Sequence, residues 1–312
     1  MTTSTVAIII VTFNSEPLLP DLVESLPLGA GANVSWKLIV ADNDSHDATV
    51  PSLRQLAPDC TIVEMGRNAG YAAGINAAIG RAGDCDAFLV LNPDVRLDPG
   101  CIPVLLKTLN SPGVGIAVPR LIDANGELIL SMRREPSVLR AFGDACLGAE
   151  RAGRWRALGE MVSDQSLYGA RTTTDWAEGS TEMISRDCWH ACGPWDESFF
   201  LYSEEADFDL RARDAGFATV YQPSAGAVHL EGDSGTSPQL WTLLQINRVR
   251  HFRRRHALAP AAAFWFATVL REASRAVLGK TRSRRALAAL LSISRLRATP
   301  SAYSVTPEPS NT

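Results

Sequence analysis

Residues 6–12, VAIIIVT, decide the fold class of this chain. The run is apolar and rich in β-branched residues up to Thr12, and the polar Asn14 follows it closely. Such a run is typical of a strand buried on both faces of a parallel sheet, because a strand with one face in water alternates apolar and polar residues. No basic segment precedes the run, so the sequence predicts a first core strand and not a signal peptide.

Strand and helix patterns alternate beyond this first strand. Further strands are predicted at residues 36–41, 61–64 and 87–91, and helices at 17–26 and 74–81. The alternation indicates an open α/β fold with a mostly parallel sheet, in which ligands bind beyond the carboxyl ends of the strands. Three strands are followed by polar residues: Asn14, the cluster 42–45 and the turn 92–94. We therefore expect the functional site at this edge.

The second half of the chain is less regular. Residues 121–175 combine Gly, Arg and isolated apolar residues, which predicts a loop-rich or helical insertion. The later elements expected are an ordered segment at 176–184, a helix through Arg211 and Arg213, a strand at 218–222 and helices within 240–296. A Gly/Ser stretch follows His229, and the Pro/Ser/Thr-rich tail 299–312 is predicted to be disordered.

Length and composition fit a globular protein with one large or two smaller α/β domains, since 46% of the 312 residues are hydrophobic. The net charge of −4 conceals an asymmetry: residues 245–298 carry thirteen Lys or Arg and one acid, Glu272, so the rest of the chain is strongly acidic. Six scattered cysteines without a CxxC pair predict mostly reduced thiols and argue against zinc or disulfide frameworks.

The longest apolar stretch, residues 257–270, has fourteen residues. A helix that crosses a bilayer needs roughly 20, so we expect no transmembrane helix. The expected location is the cytoplasm, with the inner face of the plasma membrane as an alternative if the basic segment contacts lipid.

Two aspartates at strand ends are candidates for ligand binding. Asp94 stands on a turn stiffened by Pro93, where a carboxylate can bind Mg²⁺ or Mn²⁺ together with substrate phosphates. Asn-Pro-Asp is also an ordinary turn sequence. Asp42 can accept hydrogen bonds from a nucleotide's ribose or base, and the alternative is a local Asx turn.

Other features need context to be interpreted. Gly66, Gly70 and Gly74 fit neither GxGxxG nor GxxxxGK and suggest close backbone approach near a helix start. Residues 204–209 contain four carboxylates, which suit a general base but equally a solvated helix start. His229 is a candidate metal ligand, although a single histidine is more often structural.

Five stretches in order along Val6 to Ser234 resemble glycosyltransferase family 2, and within it the rhamnosyltransferase-like branch. They read VTFN (11–14), ADNDSHD (41–47), NAGYAAGIN (68–76), LNPDV (91–95) and GPWDESFFLYSEEAD (193–207), the last being the most specific. The resemblance implies a GT-A fold, Rossmann-like, with a nucleotide-binding half, an acceptor-binding half and a helical C-terminal extension. It also implies inversion at the anomeric carbon of the transferred sugar.

The resemblance further implies where a nucleoside-diphosphate sugar binds. The implied donor-binding residues are Thr12, Asn14, Asp42, Arg67, Asn68, Gly70, Gly74, Asn92 and Asp94. Asp94 would bind Mg²⁺ or Mn²⁺, with Asn92 where many members carry the first Asp of a DXD-like element, and His229 would be a further ligand. The metal would stabilise the leaving nucleoside diphosphate.

The family's general base is the second acid of a Glu-Asp pair, which reads Glu204-Glu205 here. The resemblance therefore implies Glu205 as the base, although its extra methylene changes its reach and leaves Glu204 as an alternative. The acceptor would be a hydroxyl of a glycan, a lipid-linked glycan or another molecule. The implied sugar and acceptor pocket comprises Trp176, Glu178, Gly179, Trp195, Asp196 and Glu197.

Basic and apolar blocks alternate in the C-terminal region. Five arginines between 248 and 255 precede the apolar patch 261–270, and three more between 282 and 285 precede 286–291. Arginine-rich amphipathic helices bind anionic membranes, so we expect peripheral membrane contact, with packing on the acidic body or a homodimer contact as alternatives. No interleaved aromatic or groove-reading motif accompanies these arginines, so nucleic acid is not an expected partner.

The predicted organisation is a GT-A domain at 1–235, a basic amphipathic helical region at 236–298 and the tail at 299–312. Within the GT-A domain, about 1–120 would bind the nucleotide sugar and about 121–235 the acceptor. A nucleotidyltransferase would need a Gly-rich, basic triphosphate loop after the first strand, and residues 14–17 read NSEP. A non-catalytic nucleotide-sugar-binding or scaffold protein remains the alternative because Glu205 departs from the family pattern.

Overall fold

The computed structural model describes residues 4–230 and 237–298. The strands are β1 (Thr5–Thr12), β2 (Ser35–Asp42), β3 (Thr61–Glu64), β4 (Ala87–Leu91), β5 (Val95–Leu97), β6 (Val114–Ile122), β7 (Met132–Arg133), β8 (Thr172–Thr174), β9 (Trp176–Ala177), β10 (Thr181–Ser185) and β11 (Ala218–His229). The helices are α1 (Leu19–Ala30), α2 (Thr49–Leu56), α3 (Tyr71–Ile79), α4 (Cys101–Leu109), α5 (Val138–Leu147), α6 (Ala149–Gly153), α7 (Arg186–Cys192), α8 (Glu204–Asp214), α9 (Pro238–Arg255), α10 (Leu258–Val277), α11 (Thr281–Leu290) and α12 (Ile293–Arg297).

Nine of the strands within the described residues form one sheet with the order β3-β2-β1-β4-β10-β6-β11-β5, and β8 pairs with β11. The strands β3, β2, β1 and β4 run parallel, and β11 runs parallel to β6. The strand β10 runs antiparallel to both β4 and β6. The predicted α/β fold with a mostly parallel sheet is confirmed, and the insertion of β10 brings its amino end to the edge where β4 ends.

Helices cover both faces of the sheet, which explains why β1 is apolar without alternation. Ala7, Ile9 and Val11 pack with apolar residues of α3, α7 and α8. Val6, Ile8 and Ile10 face the opposite side, against α1 and α4. A third apolar cluster joins α5 to α9, α10 and α11, with Phe252 and Phe264 stacked at 4.1 Å between ring centroids.

The predicted strands lie within a residue of the observed ones, but three elements differ. The first helix is preceded by a 3₁₀ turn at 16–18 and continues past its predicted end to Ala30. The helix predicted to begin at Gly74 begins at Tyr71, because Gly70, with φ of 93°, ends the preceding loop. The last strand continues beyond Gln222 to His229, since a register shift between Gln222 and Gly226 accommodates the intervening Pro223.

The weakly patterned middle, residues 121–175, contains both loops and short elements, including α5 and α6. The predicted Gly/Ser stretch after His229 falls mainly on residues 231–236, and the predicted disordered tail is 299–312. Both ranges lie outside the described residues. In the described part of the chain no helix is both long and apolar enough to cross a bilayer.

Gly74 sets how closely α3 packs on β1. A Cβ atom at this position would lie 2.7 Å from Val11 Cγ1, and Val11 is part of the core. We predict that Gly74→Val lowers the free energy of unfolding by about 1–3 kcal/mol through overpacking. Urea denaturation measures this loss. Gly169→Val is the control, because no atom lies within 4 Å of a Cβ there, and equal stability of the two variants would contradict the close packing.

Candidate active site

The ends of β1 and β2 meet at one polar corner. In the parallel register Thr12 lies opposite Asp42, and its hydroxyl donates to Asp42 Oδ1 at 2.8 Å. Ser45 donates to the same carboxylate through its backbone N–H at 2.9 Å and its hydroxyl at 2.6 Å. Asp42 is 3% exposed. Ser45 lies three residues after Asp42, so these are local side-chain contacts but not an Asx turn, and the carboxylate is satisfied inside the protein.

Asn14 ties the first loop to the second. This residue has a left-handed backbone with φ of 50°, its side-chain oxygen accepts from the His46 N–H at 2.8 Å, and its own N–H donates to Ser45 Oγ. The structure therefore brings Thr12, Asn14 and Asp42 together, as the sequence predicts.

The loop 66–70 forms the next wall of the corner. The Asn43 side-chain amide donates to the Gly70 carbonyl at 3.1 Å, and Asn68 Oδ1 accepts from the Gly70 N–H. A Cβ atom on Gly70 would lie 2.4 Å from the carbonyl oxygen of Phe200, so glycine is required for this approach. The predicted close backbone approach occurs here, and Arg67 is exposed on the same loop.

Asp94 and His229 lie side by side although 135 residues separate them. Asp94 precedes β5, and His229 is the last residue of β11, which pairs with β5 so that His229 lies opposite Val95. The distance from His229 Nε2 to Asp94 Oδ2 is 3.3 Å, and from His229 Nδ1 to Glu178 Oε1 it is 3.6 Å. A carboxylate and an imidazole therefore meet at the predicted edge of the sheet.

Among the described residues, no group of three or more His, Cys, Asp or Glu side chains is arranged to hold a metal ion by itself. Mg²⁺ and Mn²⁺ commonly take only one or two protein ligands and complete their shell with water and substrate phosphates. The oxygen and nitrogen donors of Asp94 and His229 fit such a partial set.

The acidic helix α8 begins behind a strained turn. Tyr202 and Ser203 have φ of 70° and 75°, a region that residues other than glycine rarely occupy. The buried side-chain amide of Asn247 in α9 donates to the carbonyls of Leu201 at 2.9 Å and Tyr202 at 3.2 Å. The C-terminal helices therefore hold the turn from which Glu204 and Glu205 project.

Glu204 and Glu205 differ in exposure and in proton affinity. Glu204 is 2% exposed, and burial together with the charge of Glu205 raises its pKa well above the ordinary value. Glu205 is partly buried, and burial, with a smaller contribution from the charge of Glu178, raises its pKa to about 7, against the opposing effect of Arg133. Gly179 leaves room for this side chain, because a Cβ atom there would lie 3.0 Å from Glu205 Cβ.

The residues predicted for a sugar and acceptor pocket lie in two segments, 176–179 and 195–197. Trp176, Glu178 and Gly179 lead into β10 at the edge, where the Trp176 indole N–H donates to the Arg134 carbonyl at 3.1 Å. Trp195 instead lies in the core, 1% exposed and stacked on Phe208, because the loop around it turns inward. The Trp195 ring is thus covered by protein side chains, whereas the other three residues lie at the edge of the sheet.

The other two members of this predicted pocket contact neighbouring helices. The Asp196 carboxylate pairs with Arg254 of α9 at 2.5 Å, and Glu197 accepts from the Asn76 side-chain amide at 3.0 Å. These contacts fix the loop that leads to the strained turn.

Sequence reasoning missed two residues at this site. The Tyr71 hydroxyl donates to Asn92 Oδ1 at 2.6 Å, and burial and the charge of Glu204 raise its pKa well above the ordinary value. Its position directly after Gly70 in the stretch NAGYAAGIN could have identified it. Glu182 is fully buried in β10 beneath α8, and the signal was an acid inside an otherwise uncharged strand.

Several arginines of the basic C-terminal region face the acidic body. Arg248 pairs with Glu160 at 2.7 Å, Arg255 with Asp214 at 2.5 Å, and Arg271 with Asp144 at 3.3 Å. For these side chains the predicted alternative, packing on the acidic body, is confirmed.

Comparison with known proteins gives matches along most of the chain. The family model described as "Glycosyl transferase family 2" matches residues 7–159. An N-acetylglucosaminyl-diphospho-decaprenol L-rhamnosyltransferase from Mycobacterium tuberculosis is 30% identical over 244 residues, covering 74% of this chain and 78% of the relative. Rhamnosyltransferase WbbL from Escherichia coli is 24% identical, covering 72% and 83%.

The fold matches solved glycosyltransferases. The mannosyltransferase PcManGT from Pyrobaculum calidifontis, in complex with GDP-Man and Mn²⁺, superposes with a TM-score of 0.57 at 17% identity, covering 91% of this chain and 78% of that one. At this identity the match establishes the GT-A architecture.

The contact of Asn247 with the strained turn can be tested by truncation. Asn247→Ala leaves the Leu201 and Tyr202 carbonyls without their donor, so we predict a loss of about 1–3 kcal/mol in the free energy of unfolding. Urea denaturation measures it, and Asn110→Ala, the same change at an exposed helix end, serves as control. A loss no larger than in the control would show that α9 does not hold this turn.

Proposed function

The chain belongs to glycosyl transferase family 2 and is a nucleotide-sugar glycosyltransferase, and we propose that Glu205 is the general base of an inverting transfer. Glu205 takes the proton from an acceptor hydroxyl while that oxygen attacks the anomeric carbon. The bond from this carbon to the diphosphate oxygen breaks on the opposite side, and the nucleoside diphosphate leaves with the electron pair. No covalent sugar–enzyme intermediate is needed.

The observation that carries this proposal is the contrast between the two adjacent acids. Glu205 is only partly buried, at the edge where the polar loops converge, and a pKa of about 7 allows it to accept and hold a proton near neutral pH. Glu204 is almost fully buried, and one of its carboxylate oxygens receives no hydrogen bond from a described donor. The glycine at 179 gives the longer Glu205 side chain room beside β10.

We further propose that the donor's nucleoside lies at the corner formed by Thr12, Asn14 and Asp42, with the loop 66–70 beside it. Its diphosphate would reach Asn92 and Asp94. The Tyr71 hydroxyl donates a hydrogen bond to Asn92 and so holds the Asn92 side chain in place. Asp94 and His229 would hold a divalent cation, Mn²⁺ or Mg²⁺, together with diphosphate oxygens. A bound cation of this kind neutralises the charge that develops on the leaving diphosphate.

Rhamnose is our first candidate for the transferred sugar, and a hydroxyl of a lipid-linked glycan is our first candidate for the acceptor. Two relatives that match over more than two thirds of their length are rhamnosyltransferases, and one name specifies a diphospho-decaprenol acceptor. The acceptor would approach Glu205 from the side of Glu178 and Gly179.

We predict that Glu205→Gln lowers donor turnover roughly 100- to 10,000-fold, the range for loss of a general base, while donor binding persists. Asp94→Ala should instead abolish the part of donor binding that depends on the cation. The measurements are calorimetric binding of UDP-, GDP- and dTDP-sugars with Mn²⁺ or with EDTA, and the rate of donor hydrolysis. Asp59→Ala, on an exposed turn, is the control. Absence of binding for every donor would favour a non-catalytic scaffold.

The pH dependence of turnover should follow Glu205. The base must be ionised to accept a proton, so we predict that kcat/KM falls as the pH drops below about 7, the pKa of Glu205. A pH profile of donor hydrolysis checks this. A profile that stays flat down to pH 5 would contradict the assignment of Glu205.

We also propose that the chain contacts an anionic membrane surface through the outer stripe of α10. This stripe consists of exposed residues at helical spacing: Leu258, Ala262, Phe266, Leu270, Val277 and Leu278. Phe266 is 53% and Val277 86% exposed. The adjacent α11 adds the exposed Arg284 and Arg285, and from 257 to 298 the single acid, Glu272, is buried and paired with Arg271. Exposed apolar side chains flanked by basic ones suit the headgroup region of a bilayer.

If α10 contacts the membrane, we predict that the double variant Phe266→Glu/Val277→Glu co-sediments with phosphatidylglycerol vesicles at least several-fold less than the wild type. Replacing apolar contacts by negative charge opposes both burial in lipid and attraction to it. Leu28→Glu/Leu56→Glu, on the exposed sides of α1 and α2, is the matched control. Equal binding by both double variants would refute this surface, and loss of self-association in the α10 variant would assign it to a homodimer.

A further inference from the structure

The turn that carries Asp94 is held by a side chain that has no role in the site as described above. Arg96 lies in β5, two residues after Asp94, and is partly buried. Its Nη1 atom donates to the Pro93 carbonyl at 2.8 Å and to the Val95 carbonyl at 2.9 Å. The guanidinium group therefore binds the carbonyls of the two residues that flank Asp94.

The same guanidinium group reaches the loop after β1. The Nη2 atom of Arg96 donates to the Leu18 carbonyl at 2.8 Å, across 78 residues of sequence. Leu18 is the last residue of the 3₁₀ turn at 16–18. One side chain thus joins the Asp94 turn to the loop that contains Asn14, which lies at the proposed nucleoside corner.

The turn from Asn92 to Val95 has all four of its carbonyls engaged. The Asn92 carbonyl accepts from the Val95 N–H at 3.2 Å, and the Asp94 carbonyl accepts from the Leu230 N–H at 2.9 Å. The other two carbonyls of the turn accept from the Arg96 side chain. Loss of this side chain would therefore release half of the turn's carbonyls at once.

Arg96 also keeps a positive charge beside the turn. None of the ion pairs within residues 4–230 and 237–298 includes Arg96. Burial lowers the pKa of Arg96, the charges of Asp21 and Asp94 oppose this change, and an arginine remains charged at neutral pH. This charge favours an anionic ligand next to the turn.

We propose that Arg96 is a positioning residue of the donor site, which fixes the Asp94 turn against the loop after β1 and so holds the Asp94 carboxylate where it binds the cation. Arg96 acts through Asp94 and does not itself bind the cation. Its effect on ligand binding rests on the proposed role of Asp94, whereas its effect on the rigidity of the turn does not.

Hydrogen exchange measured by NMR on the full chain tests the clamp without a ligand. Arg96→Met keeps an unbranched stem and removes every donor, so we expect at least several-fold faster exchange of the Val95 and Leu230 amides, which close the turn. Arg134→Met is the matched control, because Arg134 also donates to three carbonyls, all in the segment 153–161. Exchange at both amides as slow in Arg96→Met as in Arg134→Met would overturn the proposal.

Calorimetry of UDP, GDP and dTDP with Mn²⁺ or with EDTA tests the consequence for the site. Replacement of a residue that orients a metal ligand commonly lowers metal affinity about 10- to 100-fold, and we expect a loss of this size in the Mn²⁺-dependent binding by Arg96→Met. Arg134→Met should bind as the wild type does, even if urea denaturation shows an equal loss of stability.

Arg96→Lys separates position from charge and serves also if the methionine variant does not fold. Lysine keeps the positive charge, so binding in EDTA should match the wild type, while Mn²⁺-dependent binding should fall because one nitrogen cannot replace the planar fork. Equal losses with Mn²⁺ and with EDTA, or unchanged Mn²⁺-dependent binding, would overturn the positioning role. Absence of Mn²⁺-dependent binding in the wild type would count against the proposed cation site, and the exchange measurement would still decide the clamp.

Discussion

The constraint on which the site depends is the shared direction of β1, β2 and β4. Parallel strands end at the same edge of a sheet, so the residues that follow them meet in space whatever their separation in sequence. Thr12 lies opposite Asp42, and Leu91 lies opposite Ile10, which brings the loops after all three strands to one corner. The apolar runs that make these strands are buried on both faces, and this burial fixes their register.

The antiparallel strand β10 adds the acidic half of the site to this corner. Its amino end lies beside the carboxyl end of β4, so that the Asn92 N–H donates to the Ser180 carbonyl. Glu178 and Gly179 therefore reach the corner from one side and α8 from above, where Gly179 makes room for Glu205. The buried Asn247 of α9 holds the strained turn before α8, which makes the C-terminal helices part of the site's support.

Much of this arrangement could be predicted from the sequence, because it follows from local patterns. The run 6–12 and the strand 87–91 are long, apolar and bounded by polar residues, and the polar residues after them mark the edge. The place of β10 could not be read in the same way, since an antiparallel insertion between β4 and β6 depends on contacts distant in sequence. The burial of Trp195 could not be predicted for a related reason, because a tryptophan between Pro194 and Asp196 gives no local sign of whether its ring is buried.

The central claim is that a nucleoside diphosphate and a divalent cation bind at this corner, with the cation between Asp94 and His229. The most direct test is a crystal structure of the chain with Mn²⁺ and the nucleoside diphosphate that binds most tightly, recorded at a wavelength where manganese scatters anomalously. The account predicts an anomalous peak within ligand distance of the Asp94 carboxylate and the His229 imidazole, and the diphosphate next to it. A diphosphate bound elsewhere, or a manganese peak away from both side chains, would contradict it.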